Sequence, residues 1–147
     1  MTTYITATRY HDISAGHRVP GHEGKCKHLH GHGYRIHFTC VAPALDDLGR
    51  VIDFGVIKTR LCEWLEREWD HKLILWKDDP ILKPLLDTGE EIIAASIRQV
   101  GWIPTAENLA AHLLNVIGPQ ELKGTGVRLI KVVVEETRKC SATAQPL

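Results

Sequence analysis

The sequence predicts an α+β domain in which strands open and close the chain and two helices lie between them. Three observations carry that prediction. Residues 3–17 and 30–42 alternate apolar and polar positions on either side of a loop rich in Gly and Pro. Residues 54–69, and the run after Pro104, space their apolar residues as helices do. A β-branched run, VRLIKVVVEET, follows at 127–137.

In the first run Ile5, Ala7, Ile13, Ala15 and His17 share one parity, as on a half-buried strand. Residues 18–29, RVPGHEGKCKHL, form a loop. In the second run His30, His32, Tyr34, Ile36, Phe38 and Cys40 share a face, so the two strands pair antiparallel around the loop. Asp53 is a helix N-cap, and Phe54, Ile57, Leu61, Trp64, Leu65 and Trp69 form the apolar stripe behind it. Asp79-Pro80 opens a short helical turn that Pro84 limits. Residues 87–103 read equally as strand or helix. Thr105 caps a second helix, with Glu107 in its first turn and Leu109, Leu113, Val116 and Ile117 as its stripe. In the last strand Ile130, Val132, Val134 and Glu136 share a face, and the tail SATAQPL either adds a short strand or frays.

A chain of 147 residues fits one domain, 1–147, and 44% apolar content can fill its core. Eighteen basic and eighteen acidic residues leave no net charge, which argues against nucleic acid or a membrane surface as partner and favours a small-molecule site or copies of itself. The start MTTYIT has no basic or apolar leader, and no apolar run reaches membrane-spanning length, so the cytoplasm is the expected location. Cys40 and Cys62 sit in apolar patterns as small hydrophobes, and four scattered cysteines make no disulfide framework.

Histidine is the anomaly: five of nine fall between His17 and His32. His30-Gly31-His32 puts two imidazoles on one strand face, and His17 ends the paired strand with matching parity. Three imidazoles at the end of an apolar face suit zinc with a fourth position left for water or substrate. His22 and His28 compete as ligands from the loop, whereas His11 and His37 face solvent or make ordinary hydrogen bonds. Cys26 lies between Lys25 and Lys27. It reads either as a thiolate base or nucleophile favoured by those cations, or as a fourth ligand that closes the site. Asp70-His71 reads as a carboxylate-oriented proton shuttle or as an exposed pair at a helix end. Glu136 continues an apolar face into a charge, so a partner is expected there, and Glu135 points the other way.

SAGHRVPGHEGKCKHLHGHGYRIHF, VIDF, WDHKL, PTAEN and VVVEET, in that order from about His11 to Thr137, resemble the 6-pyruvoyltetrahydropterin synthase and 6-carboxytetrahydropterin synthase family. The resemblance implies the tunnelling fold: ββααββ subunits with an antiparallel sheet, helices on one face, and a barrel closed by oligomerisation into a homohexamer, a dimer of trimers. It implies Zn2+ on His17, His30 and His32, and Cys26 as the catalytic cysteine. Asp70 and His71 become a proton-moving dyad supplied by a neighbouring subunit. Glu136 anchors the pterin, since one carboxylate can accept from two parallel ring donors. Thr105 and Glu107 line the same pocket.

The substrate implied is 7,8-dihydroneopterin triphosphate. The GHEGKCKHLHGH loop is most like the bacterial carboxy-forming members, which implies a zinc-dependent lyase giving 6-carboxytetrahydropterin, acetaldehyde and triphosphate for queuosine synthesis. 6-Pyruvoyltetrahydropterin is the alternative product, and a non-catalytic zinc-stabilised oligomer is the alternative of another class. Two departures from the family stand out. The segment from His71 to Pro104 is long, and RKCSATAQPL lacks the usual closing aromatic strand.

Overall fold

The structure, a computed structural model, describes residues 3–147; residues 1 and 2, part of the start read above, lie outside the described residues. Strands β1 (Ala7–His17) and β2 (His30–Val41) pair antiparallel along their length, from Ala7 opposite Cys40 to His17 opposite His30. Strand β5 (Arg128–Glu135) pairs antiparallel with β2, and β6 (Ser141–Ala144) with β5. The tail therefore closes as a strand without aromatic residues, held by the backbone ladder.

Helix α1 spans 54–68 and runs through one wide turn at Lys58–Cys62. Asp53 caps it, accepting from Gly55 N–H at 2.8 Å. Helix α4 spans 106–121 and has a similar wide turn at Leu113–Ile117, just before Pro119, which has no N–H to return to the helix. Both helices cover one face of the sheet. Between them and the sheet lie Ile36, Phe38, Cys40, Leu61, Leu65, Leu109, Leu113 and Val132, all buried. Phe54 and Val116 differ from the stripes read in the sequence and face solvent.

In β5 the buried face runs Val134, Val132 and then Leu129, because the register slips between Thr39 and Cys40. Thr39 faces Lys131 and Cys40 faces Leu129, so Ile130 is the extra residue of a bulge and leaves the core. Strict alternation had put Ile130 inside.

Residues 87–103 resolve their ambiguity by being both helix and strand, and 72–86 add a further strand and helix ahead of them. Strand β3 (Lys72–Trp76) is followed by α2 (Leu82–Leu86), α3 (Glu91–Ser96) and β4 (Ile97–Val100). β3 adds parallel to β1, and β4 parallel to β3, so the sheet order is β4–β3–β1–β2–β5–β6. Four strands keep the expected antiparallel pairing, and the long segment contributes the two parallel ones. Leu75, Leu82 and Ile97 form a second small core with Leu73, Ile81, Leu85 and Ile93. No described helix is long and apolar enough to cross a membrane.

Candidate active site

The β1–β2 register builds the histidine cluster. His17 lies opposite His30, and Ala15 opposite His32, so the three imidazoles share the helix-covered face at one end of the hairpin. Gly16 lies opposite Gly31 between them. A Cβ on Gly31 would meet the Ala15 carbonyl oxygen at 3.1 Å. Glycine there lets the two ligand-bearing strands approach without a side chain between them.

The ligand atoms of His17, His30 and His32 all lie within 4.8 Å of one another, close enough to hold a metal ion. Their tautomers can be derived. His17 Nδ1 meets the Pro104 carbonyl at 2.6 Å, and His30 Nδ1 meets the His28 carbonyl at 2.6 Å. A carbonyl can only accept, so both Nδ1 atoms carry the proton and both Nε2 atoms present lone pairs. Those Nε2 atoms are 3.1 Å apart. His32 Nε2 is buried and has no hydrogen-bond partner among the described residues. Burial holds His17 and His32 below the ordinary histidine value, so both stay neutral near pH 7. The Glu136 carboxylate lies 3.3 Å from His17 Nε2 and 3.5 Å from His32 Nε2. Lone pairs and a carboxylate facing one another repel unless a cation lies among them.

The loop supplies Cys26, half-buried on the turn Lys25–Lys27, and its thiol is not part of the three-ligand group. His22 and His28 are not ligands in this group either. His22 Nδ1 accepts from Gly24 N–H at 2.8 Å, within the loop, and His28 offers its carbonyl to His30. Glu136 reaches the cluster as its parity predicts, and Glu135 turns to His37 on the open face at 2.5 Å. His11 bonds Glu66 at 2.5 Å.

Asp70 and His71 follow α1, and His71 lines a shallow cleft together with His30 and His32. Asp70 accepts from Ser14 N–H at 2.9 Å, and His71 Nδ1 donates to Asp70 at 2.7 Å. Burial pushes the Asp70 carboxyl up, but the hydrogen bonds from Ser14 and His71 outweigh it and hold it below the carboxylate range. His71 has a left-handed backbone, φ 58°, and its side chain is 79% exposed. The dyad lines a cleft of about 750 Å³ on the open face, with Ser14, Gly33, Arg35, Glu135 and Thr137. None of the three clustered histidines lines that cleft.

Two participants escaped the sequence reading. One is the Pro104 carbonyl, which fixes the His17 tautomer. Thr105 caps α4 through Asn108 N–H at 3.1 Å, and the Asn108 side chain donates to the Ile103 carbonyl at 2.9 Å, so PTAEN anchors that carbonyl. Glu107, two positions after Thr105, is exposed. The other is Tyr34, buried edge-on to His17 and His32 at ring separations of 5.9 and 5.4 Å. Its hydroxyl has no partner among the described residues. Burial, with the Glu136 carboxylate next in effect, raises its pKa far above the ordinary value, so it stays a donor. Its position in the H-G-H-G-Y alternation was the available signal.

The profile of the family described as 6-pyruvoyl tetrahydropterin synthase matches residues 6–146. A Rickettsia typhi protein named 6-carboxy-5,6,7,8-tetrahydropterin synthase is 39% identical over 138 residues, covering 92% of this chain and 96% of that protein. A relative of the same name from Aquifex aeolicus is 34% identical over 122 residues, covering 80% of this chain and 74% of its own. Among solved structures, an uncharacterised protein from Wolinella succinogenes superposes with a TM-score of 0.85 at 23% identity, over 99% of this chain and 100% of that one. The Caenorhabditis elegans 6-pyruvoyl tetrahydropterin synthase superposes with a TM-score of 0.65 at 23% identity, over 99% and 97% of the two chains. At such identity these two likenesses speak for the fold.

Proposed function

The chain belongs to the 6-pyruvoyl tetrahydropterin synthase family, and on that premise we propose that it is a zinc-dependent 6-carboxy-5,6,7,8-tetrahydropterin synthase. It converts 7,8-dihydroneopterin triphosphate to 6-carboxytetrahydropterin, acetaldehyde and triphosphate, in the cytoplasm and toward queuosine. The observation that carries this reading is the convergence of three histidines, two with Nε2 lone pairs fixed by carbonyl-bound Nδ1 protons. The donor set fits zinc: imidazole ligands at about 2.0–2.1 Å in a tetrahedral site stand roughly 3.3 Å apart, near the 3.1 Å between His17 and His30 Nε2.

His17, His30 and His32 would hold the zinc ion, which when bound would supply Lewis-acid polarisation of the substrate's side-chain oxygens. Glu136 anchors the pterin by accepting from its 2-amino group and ring N–H. Thr105 and Glu107, at the start of α4, line the pterin end of the pocket. Cys26 takes or returns a proton on one side of the substrate side chain. The His71–Asp70 dyad of a neighbouring subunit does so on the other, with Asp70 fixing the imidazole tautomer through Nδ1. A homohexamer, a dimer of trimers that closes the sheets into a barrel, brings the two half-sites together.

The assay is incubation with 7,8-dihydroneopterin triphosphate, with products identified by mass spectrometry before and after zinc chelation. Chelation-sensitive 6-carboxytetrahydropterin and acetaldehyde are expected. A pyruvoyl product would move the chain to the other branch of the family. A zinc-loaded protein without turnover would remove the lyase reading.

A further inference from the structure

The long segment between His71 and Pro104 contributes one group to the base of the loop that carries Cys26. Asp79 is buried, with its side chain wholly shielded from solvent. It is held in place by its own turn, where its carboxylate accepts from Ile81 N–H at 2.9 Å and its carbonyl from Leu82 N–H at 3.0 Å. Its two carboxylate oxygens take the Arg18 guanidinium as a fork, with Arg18 Nε at 2.8 Å from Oδ2 and Nη2 on Oδ1. Arg18 follows His17 directly in the chain and precedes Val19. Val19 N–H donates to the Cys26 carbonyl at 2.8 Å, and the Val19 carbonyl accepts from His22 N–H at 3.1 Å, which closes the base of the cysteine loop. A continuous path thus runs from a buried carboxylate in the inserted segment, through Arg18, to the backbone that carries Cys26. A bidentate pair with one fully buried partner has a single geometry, unlike a surface ion pair.

We propose that Arg18 and Asp79 are positioning residues for Cys26: the inserted segment clamps the base of the catalytic loop and fixes the thiol relative to the histidine cluster. The clamp rests on the reading of Cys26 as the catalytic cysteine. It acts through the loop and touches neither substrate nor metal. It also gives the inserted strands and helices a purpose in the reaction. They hold Asp79 in place, and Asp79 aligns a loop that has only short turns of its own.

The test uses Asp79→Asn, which keeps the shape and the acceptor for Ile81 N–H and leaves Arg18 free to reach solvent. The double variant Arg18→Gln/Asp79→Asn removes both charges together and decides the matter should the single variant lose its fold. Five quantities are read in each: kcat, KM, zinc per subunit, Tm, and the alkylation rate of Cys26 by iodoacetamide from peptide-resolved mass spectrometry. Expected are a kcat lower by about tenfold or more with KM within about threefold, one zinc per subunit, and Cys26 alkylation several-fold faster as the loop loosens. Wild-type kcat and alkylation, with only Tm lowered, would reduce the pair to a structural contact and overturn the clamp. Loss of zinc in parallel with kcat would overturn it too, because the pair would then act through His17. Should wild-type protein fail to turn over, the functional reading falls, while the alkylation rates still decide whether the pair fixes the loop.

Discussion

Single atoms set the character of the site. His17 and His30 each spend their one proton on a carbonyl, which leaves Nε2 free for a cation. Cys26 stands outside the ligand group, so Cys26→Ala should leave one zinc per subunit and abolish turnover; full activity with the metal in place would remove the thiol from the chemistry. Glu136 sits at the other side of the cluster as a carboxylate acceptor. Glu136→Gln should raise KM about 10–100-fold, the worth of a charge-assisted hydrogen bond, with zinc retained. An unchanged KM would take Glu136 out of pterin recognition.

Two element contacts decide whether those atoms meet. The first is the closeness of β1 and β2. Gly31→Ala places a Cβ against the Ala15 carbonyl and pries apart the strands that bear the three histidines. Zinc affinity should fall by at least tenfold in a chelator titration while the far-ultraviolet circular dichroism stays native; wild-type affinity would mean that the hairpin absorbs the methyl group. The second contact is α1 against α4, where His112 stacks on Trp69 at a ring separation of 6.3 Å and lies 5.2 Å from the Trp102 ring. Burial holds His112 below its ordinary value of 6.5. Below pH 6.5 the unfolded chain therefore binds a proton that the folded chain refuses, so stability is full above 6.5 and is lost as pH falls toward the folded value. His17 and His32 add in the same direction in metal-free protein. Tm of metal-free protein should drop between pH 7.5 and 5.5, and His112→Gln should flatten that slope. An unchanged slope would assign the whole effect to the other histidines.

At the scale of the whole molecule, the three histidines form one group, and the Asp70–His71 dyad lines a cleft on the bare face of the sheet that none of them lines. A site shared between subunits predicts complementation. Co-expressed Cys26→Ala and His71→Ala chains, each inactive alone, should recover about a quarter of wild-type activity in randomly mixed closed oligomers. A mixture as dead as its parents would put dyad and thiol in one subunit.

Much of this was legible in the chain. Alternation gave the strands and the histidine face, and capping residues gave α1 and α4, because periods of 2 and 3.6 are local properties of the backbone. The motifs carried the family. Residues 87–103 were not legible, because short apolar runs fit strand and helix alike until the edge beside β1 offers a strand to pair with. Ile130 could not be seen to leave the core, since a bulge is a property of two strands and not of one. The Pro104 carbonyl and the Asp79–Arg18 pair join positions far apart in sequence, and no spacing rule connects them. The sequence by itself determined which chemical groups the protein owns and which face each takes on its own element. Only the tertiary structure decided which of those faces meet, because register and packing against distant segments fix distances that local periodicity leaves free.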